Sequence, residues 1–143
     1  MRYKRPESVL VVIYTVDREV LLLERRQPAG FWQSVTGSLA SNETPAEAAV
    51  REVREETGLL VEDRLVDCGY SNSFEILPAW RARYAPGVNR NTEYVFRVEL
   101  DEITPIQLNS TEHRRAEWVP AETAMKRVSS HTNRTAIERY LGA

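Results

Sequence analysis

The chain has 143 residues, 42% hydrophobic and 28% charged, with a net charge of −2 at pH 7. That size and balance suit one globular domain over residues 1–143, burying ~68–70% of its unfolded surface, and exclude a disordered or collagen-like chain. The slight acidity argues against nucleic acid or an anionic membrane surface as partners, and the single cysteine, Cys68, excludes an internal disulfide or a cysteine zinc cluster.

Basic residues before the apolar run Val9–Tyr14 imitate a secretion signal. The run instead passes into Asp17-Arg18-Glu19 with no small-residue cleavage site, and it falls far short of the ~18 apolar residues of a membrane span. A soluble, cytoplasmic protein is expected. Val9–Thr15 reads as a buried β-branched strand, Asp17-Arg18 as a turn, and Val20–Glu24 as the second strand of a hairpin. "FWQSVTG", Phe31–Gly37, is a third short extended piece.

Thr44-Pro45-Ala46-Glu47 is a helix start: Thr44 caps, Pro45 takes the first helical position and Glu47 completes a capping box. Gly58 supplies the left-handed residue at the far end. Between them Ala46, Ala49, Val50 and Val53 define the expected buried face. Val61–Tyr70 reads as a strand. Ser73–Asn91 lacks a period and is rich in aromatics and arginines. Glu93–Leu100 and Arg114–Pro120 read as strands, Pro120–Val128 as a short helix and Thr132–Leu141 as a closing one, with Ala136, Ile137, Tyr140 and Leu141 on one face. Strands interleaved with a few helices predict a mixed sheet between helices.

The chemistry lies in the Thr44 helix. Glu52, Glu55 and Glu56 are spaced i, i+3, i+4 and so point to one side. They repel one another, and two sit in the last turn, where the helix dipole also disfavours them. Arg51 and Arg54 project to other sectors of an ideal helix. A divalent cation is the partner that makes sense of this, and Mg²⁺ is commonly held by a few carboxylates plus substrate phosphates.

The wider pattern sets this helix apart from an ordinary charged surface helix. Gly37, five free positions, Glu43, seven free positions, then Arg51-Glu52-Val53, Glu55-Glu56, Gly58 and apolar Leu59 stand in register. At ~6–7% per residue type, such a match arises by chance less than about once in a million. Residues 37–59 resemble the Nudix box, and the chain is identified as similar to the Nudix hydrolases.

The resemblance implies an α+β fold, a Nudix-type α/β/α sandwich with a central mixed β-sheet. It implies an enzyme that hydrolyses a phosphoric anhydride linked to another moiety, using Mg²⁺, with Mn²⁺ able to substitute. Carried over, Glu52, Glu55 and Glu56 become metal ligands, with the Gly37 carbonyl a further one. Arg51 orients the glutamates, and Glu112 matches an additional carboxylate that reaches the metal from a loop. Glu55 and Glu112 are the candidates to take the proton from the attacking water. The likeness continues through Tyr3–Pro6, Phe31–Ser38, Arg83–Val88, Arg90–Glu93 and Thr111–His113. It points to the branch that cleaves a pterin triphosphate, with dATP or an oxidised nucleotide as the alternative and an inert Nudix-fold binding module as the third reading.

Substrate contacts on the same grounds are Lys4, Arg25, Thr36, Phe74, Glu75, Ile76, Leu77 and Ser130. Arg81, Arg83 and Arg90 are candidates for a basic lid. His113 and His131 belong to no triad or metal cluster, and Trp118 reads as core. Many Nudix boxes carry glycine where this chain has Asn42, a residue that tolerates a left-handed backbone.

Overall fold

Strand β1 (Glu7–Thr15) is the spine of the computed structural model, which describes residues 3–142. Its side chains alternate between two cores. Val9, Val11 and Ile13 pack with Ala48, Ala49 and Val53 of helix α1 (Pro45–Thr57). Leu10, Val12 and Tyr14 pack with Ala121 and Ala124 of α2 (Ala121–Arg127) and Ala136 and Ile137 of α3 (His131–Leu141). A strand covered on both faces reads as a continuous apolar run, which is why β1 was legible.

The result is a mixed sheet, seven-stranded among the described residues, with α1 on one face and α2 and α3 on the other. β1 runs parallel to β6 (Arg90–Leu100), from Glu7↔Thr92 to Thr15↔Leu100. Its other edge is shared. β2 (Glu19–Arg25) meets β1 only at Tyr14↔Val20, after the turn in which Arg18 N–H bonds the Thr15 carbonyl. The expected hairpin then splays open. Into the gap fit β3 (Trp32–Gln33), on β2, and β4 (Val35–Ser38), on β1. Asn133 fixes the bend between them: its Oδ1 accepts from Ser34 N–H at 2.8 Å and its Nδ2 donates to Ser34 Oγ at 2.9 Å. β7 (His113–Pro120) covers the outer edge of β2.

Helix α1 has the predicted ends. Thr44 Oγ1 accepts from Glu47 N–H, Glu47 Oε1 accepts from Thr44 N–H, and Gly58 (φ 78°) donates to the Arg54 carbonyl. Asn42 adopts φ 65°, so the loop keeps the backbone a glycine would give. The buried face differs from the expected one. Ala46 is exposed and Val50 half-buried, while Ala48, Ala49, Glu52, Val53 and Glu56 face inward. The inner stripe is Ala49-Glu52-Val53-Glu56, and counting only apolar letters rotated it by about a sixth of a turn.

Strand β5 spans Leu65–Glu75, not Val61–Tyr70. The N–H groups of Arg64 and Leu65 both bond the Val61 carbonyl, so Val61 is a buried turn residue. The strand continues through polar residues to Glu75↔Arg90, with its register broken between Asp67 and Ser71, where Gly69 has φ 77°. An edge strand with no fully buried residue carries no apolar signal. A 3-10 turn (Pro78–Arg83) follows. No helix among the described residues is long and apolar enough to cross a membrane.

Candidate active site

The inward glutamates of α1 meet β4 end-on. Glu52 lies against Gly37 so closely that a Cβ on Gly37 would overlap its carboxylate, which explains a glycine there. Burial pushes the Glu52 carboxyl up to about 7, against the opposing pull of Arg51 and with the help of Glu55 and Glu56. Arg51 does not project away as the ideal-helix reading placed it. Its stem folds back so that Nε and Nη2 hold both Glu43 oxygens at 2.8 and 2.9 Å, Nη1 reaches Glu52 at 2.6 Å and Glu55 at 3.3 Å, and Nη2 also donates to the Ser38 carbonyl at 3.0 Å. These contacts keep the guanidinium fully cationic, the Glu43 bond foremost. Glu55 is exposed and tied to this clamp.

Glu56 sits apart, 2% exposed. Its Oε2 lies 2.7 Å from His113 Nδ1, but the two are out of line for a hydrogen bond, so neither atom is satisfied. His113 Nε2 is 3.2 Å from Gln33 Nε2, which donates to it. The loop before β7 is laced to the end of α1: Gln107 N–H bonds the Thr57 carbonyl and Asn109 N–H the Glu56 carbonyl. This delivers Glu112, so that ligand atoms of Glu56, Glu112 and His113 lie within 4.8 Å of one another. The unsatisfied buried Glu56 Oε2 beside the Glu112 carboxylate is an oxygen donor set that fits a divalent cation, with His113 Nδ1 behind Glu56. The residues form an acidic cluster able to hold a metal ion.

His113 is the residue sequence reasoning missed. Its place directly after Glu112 at the start of a strand was the available signal, because alternation there turns the next side chain inward.

Glu52, Gly37 and Glu112 open into one cleft of about 1080 Å³. Lys4, Arg25, Thr36, Phe74, Glu75, Ile76, Leu77 and Ser130 all line it. Three cations, Lys4, Arg25 and Arg83, gather in it. Burial and the neighbouring Arg83 and Arg25 push the Lys4 ammonium below its ordinary range, while Glu112 and Glu52 pull it back. The Arg25 guanidinium stacks 5.3 Å over Trp80, which meets Phe31 edge-on. Of the three arginines read as a lid, Arg83 faces the cleft. Arg81 is turned to Glu75 and the Ile76 carbonyl, and Arg90 to Ser73. Ser130 both lines the cleft and caps α3 through Asn133 N–H.

A sandwich whose central helix turns carboxylates toward a cation-rimmed cleft is the framework of a Nudix hydrolase. Residues 4–140 match the NUDIX domain, and the chain belongs to that family. It is 46% identical over 143 residues to dihydroneopterin triphosphate diphosphatase of Escherichia coli K12, covering 97% of this chain and 94% of that protein. It is 42% identical to the protein of that name in Haemophilus influenzae, over 99% of this chain and 90% of the other. The solved structure of the E. coli dihydroneopterin triphosphate pyrophosphohydrolase superposes with a TM-score of 0.91, covering 99% of this chain and 98% of that one.

Proposed function

We propose that this chain is a cytoplasmic, Mg²⁺-dependent pyrophosphohydrolase that cleaves dihydroneopterin triphosphate to dihydroneopterin monophosphate and pyrophosphate in folate biosynthesis. The observation that carries this reading is the near-full-length likeness, 46% identity over 97% of the chain, to a protein named for that activity. The lining of the cleft supports it, combining the cations Lys4, Arg25 and Arg83 with the apolar Phe74, Ile76 and Leu77.

In this reading Glu52, Glu55, Glu56 and Glu112, with the Gly37 carbonyl, hold Mg²⁺. Bound there, the ion supplies positive charge against the phosphate oxygens and acidifies the attacking water. Arg51 holds Glu52 and Glu55 in place. Lys4, Arg25 and Arg83 bind the phosphates, with Arg25 preorganised by its stack on Trp80. Thr36 donates a further hydrogen bond, and Phe74–Leu77 with Ser130 seat the rest of the substrate. Glu112 lines the cleft while Glu55 is engaged by Arg51, so Glu112 is the carboxylate that takes the proton from water. Positioning and charge do most of the catalysis in phosphoryl transfer.

The test is pyrophosphate release with Mg²⁺ from dihydroneopterin triphosphate, dATP, the other nucleoside triphosphates and ADP-ribose at matched low concentrations. The expected result is a clear preference for the pterin in kcat/KM. Equal or better use of dATP or an oxidised nucleotide would overturn the pterin assignment, and no hydrolysis of any would overturn the enzymatic reading as a whole.

A further inference from the structure

Glu112 reaches the cleft on the loop before β7, and the bonds at the tip of that loop are mostly internal. The N–H groups of Glu112 and His113 bond the Asn109 carbonyl at 3.3 and 3.1 Å, and Thr111 N–H bonds Asn109 Oδ1 at 3.1 Å. They close a turn without attaching it to the sheet. The ties from Asn109 to α1 are long: 3.4 Å from its N–H to the Glu56 carbonyl and 3.5 Å from Nδ2 to Glu56 Oε1.

The end of β2 supplies what the loop lacks. β2 and β7 lose register there: Glu24 pairs with Arg115 but Arg25 with His113, leaving Arg114 as the extra residue of a bulge. A bulge interrupts regular pairing and re-aims the side chains beside it. Beyond it, Arg26 N–H still reaches the Glu112 carbonyl at 2.9 Å, and Arg26 Nε donates to the Ser110 carbonyl. Arg26 thus grips the chain on both sides of Thr111, its side chain exposed along the cleft that Thr111 and Glu112 also line. Its own anchorage is firm. The buried Glu24 carboxylate accepts from Arg115 Nε at 2.8 Å and from Gly30 N–H at 2.7 Å, and Arg25 N–H bonds the Phe31 carbonyl at 2.9 Å. Among the described residues, none outside the loop except Arg26 hydrogen-bonds Ser110, Thr111 or Glu112.

We propose that Arg26 is a positioning residue for the reaction: its side chain clamps the tip of the loop and so sets where the Glu112 carboxylate stands in the cleft. The guanidinium acts through the Ser110 carbonyl and does not need to touch the substrate. The inference rests on the reading of Glu112 above as the carboxylate that takes the proton from water, and it names the residue that keeps it in place.

Two substitutions isolate the bond. Arg26→Gln carries an amide nitrogen the same number of bonds from the backbone as Nε, so it keeps the donor without the charge. Arg26→Met keeps a stem of that length and no donor. Amide hydrogen exchange is followed in the metal-free protein at Thr111, Glu112 and His113. Arg26→Met is expected to speed exchange there by about tenfold, with the β1 amides unchanged and Arg26→Gln close to wild type. In pyrophosphate release, Arg26→Met is expected to lower kcat by about tenfold or more with KM within about twofold, and Arg26→Gln to recover most of the loss. Unchanged exchange in Arg26→Met would overturn the proposal, as would equal losses in both variants, which would make the charge responsible. A raised KM with unchanged kcat would make Arg26 a phosphate ligand and overturn it too. Exchange is read without substrate, so it reports the clamp whichever triphosphate the enzyme prefers. Faster exchange in Arg26→Met beside wild-type kcat in Glu112→Gln would keep the clamp but refute Glu112 as the base, and with it the catalytic role of Arg26.

Discussion

Gly37→Ala tests whether the position of Glu52 matters, because the substitution adds one methyl group and leaves every charge in place. Gly37 pairs with Val9 in the sheet and does not sit in the left-handed region, so its backbone accepts alanine. The new Cβ would lie 2.5 Å from Glu52 Cγ and nearer still to the carboxylate, where ordinary contact begins at 3.4 Å. Glu52 must therefore withdraw by about 0.9 Å at Cγ and further at its oxygens, and a misplacement of ~1 Å in a catalytic array costs ~10²-fold. That corresponds to about 2.7 kcal/mol in the barrier. The clash is with the far end of a side chain, so the fold survives with an overpacking cost of ~1–3 kcal/mol. The assay is kcat, KM and Mg²⁺ dependence beside a thermal melt. Because the methyl acts only through Glu52, the double variant Gly37→Ala/Glu52→Gln is expected to lose no more than the worse single one. Wild-type kcat in a folded Gly37→Ala protein would refute the reasoning, and full additivity would show that the methyl acts elsewhere.

Glu56→Gln is expected to lower Mg²⁺-dependent kcat by more than ~10²-fold with an unchanged circular dichroism spectrum, and near-normal turnover would remove Glu56 from the metal cluster. His113 touches Glu56 but not the cleft, so it is a positioning residue. His113→Ala is expected to raise the Mg²⁺ concentration for half-maximal activity by ~10–100-fold, and His113→Asn, which keeps a nitrogen near Nδ1, to recover part of it; equal loss in both would reduce His113 to packing. Glu93→Gln tests the buried carboxylate through stability. Folded Glu93 titrates above its ordinary 4.5, so the native state retains a proton that the unfolded chain has released, and wild-type stability falls as pH rises through that interval. The gain in Tm from Glu93→Gln should therefore grow from pH 4.5 toward neutrality and vanish below it; a pH-independent difference would show that burial of the charge carries no penalty.

The elements legible in the sequence were those whose residues state their own geometry. β1 and β2 are buried on both faces and appear as unbroken apolar runs, and the Thr44 cap and Gly58 stop were both written locally. β5 escaped because it is an edge strand whose outer half is polar and whose register breaks near Gly69. The wedge of β3 and β4 escaped because it depends on the distant clamp from Asn133 to Ser34. In the site, spacing alone put Glu52, Glu55 and Glu56 on one side. Spacing did not show that Glu52 and Glu56 turn into the protein while Glu55 stays exposed, since that depends on which stripe the sheet covers. Lys4, Arg25, Thr36, Phe74 and Ser130 come from five separated stretches, and resemblance alone grouped them before the structure brought them to one cleft.

The crowding of charge on α1 has two parts, and they are handled differently. Arg51 takes Glu43, Glu52 and Glu55 together, one positive charge against three carboxylates, so this cluster is organised but not neutralised. Glu56 and Glu112 lie beyond its reach; Glu56 Oε1 accepts a long hydrogen bond from Asn109 Nδ2 at 3.5 Å, and its Oε2 faces only a misaligned histidine contact. Interspersed lysines would have stabilised the helix further, at the cost of filling the space between the carboxylates with fixed ammonium groups. The chain instead leaves Glu56 Oε2 buried without a hydrogen bond at the helix C-terminus, where the dipole adds to the penalty. A cation entering there relieves repulsion, desolvation and dipole at once, and a polyphosphate approaching the same carboxylates would be repelled without one. On the proposed reading, the destabilisation built into α1 is thus the term that would favour a bound cation and couple it to the arrival of an anionic substrate.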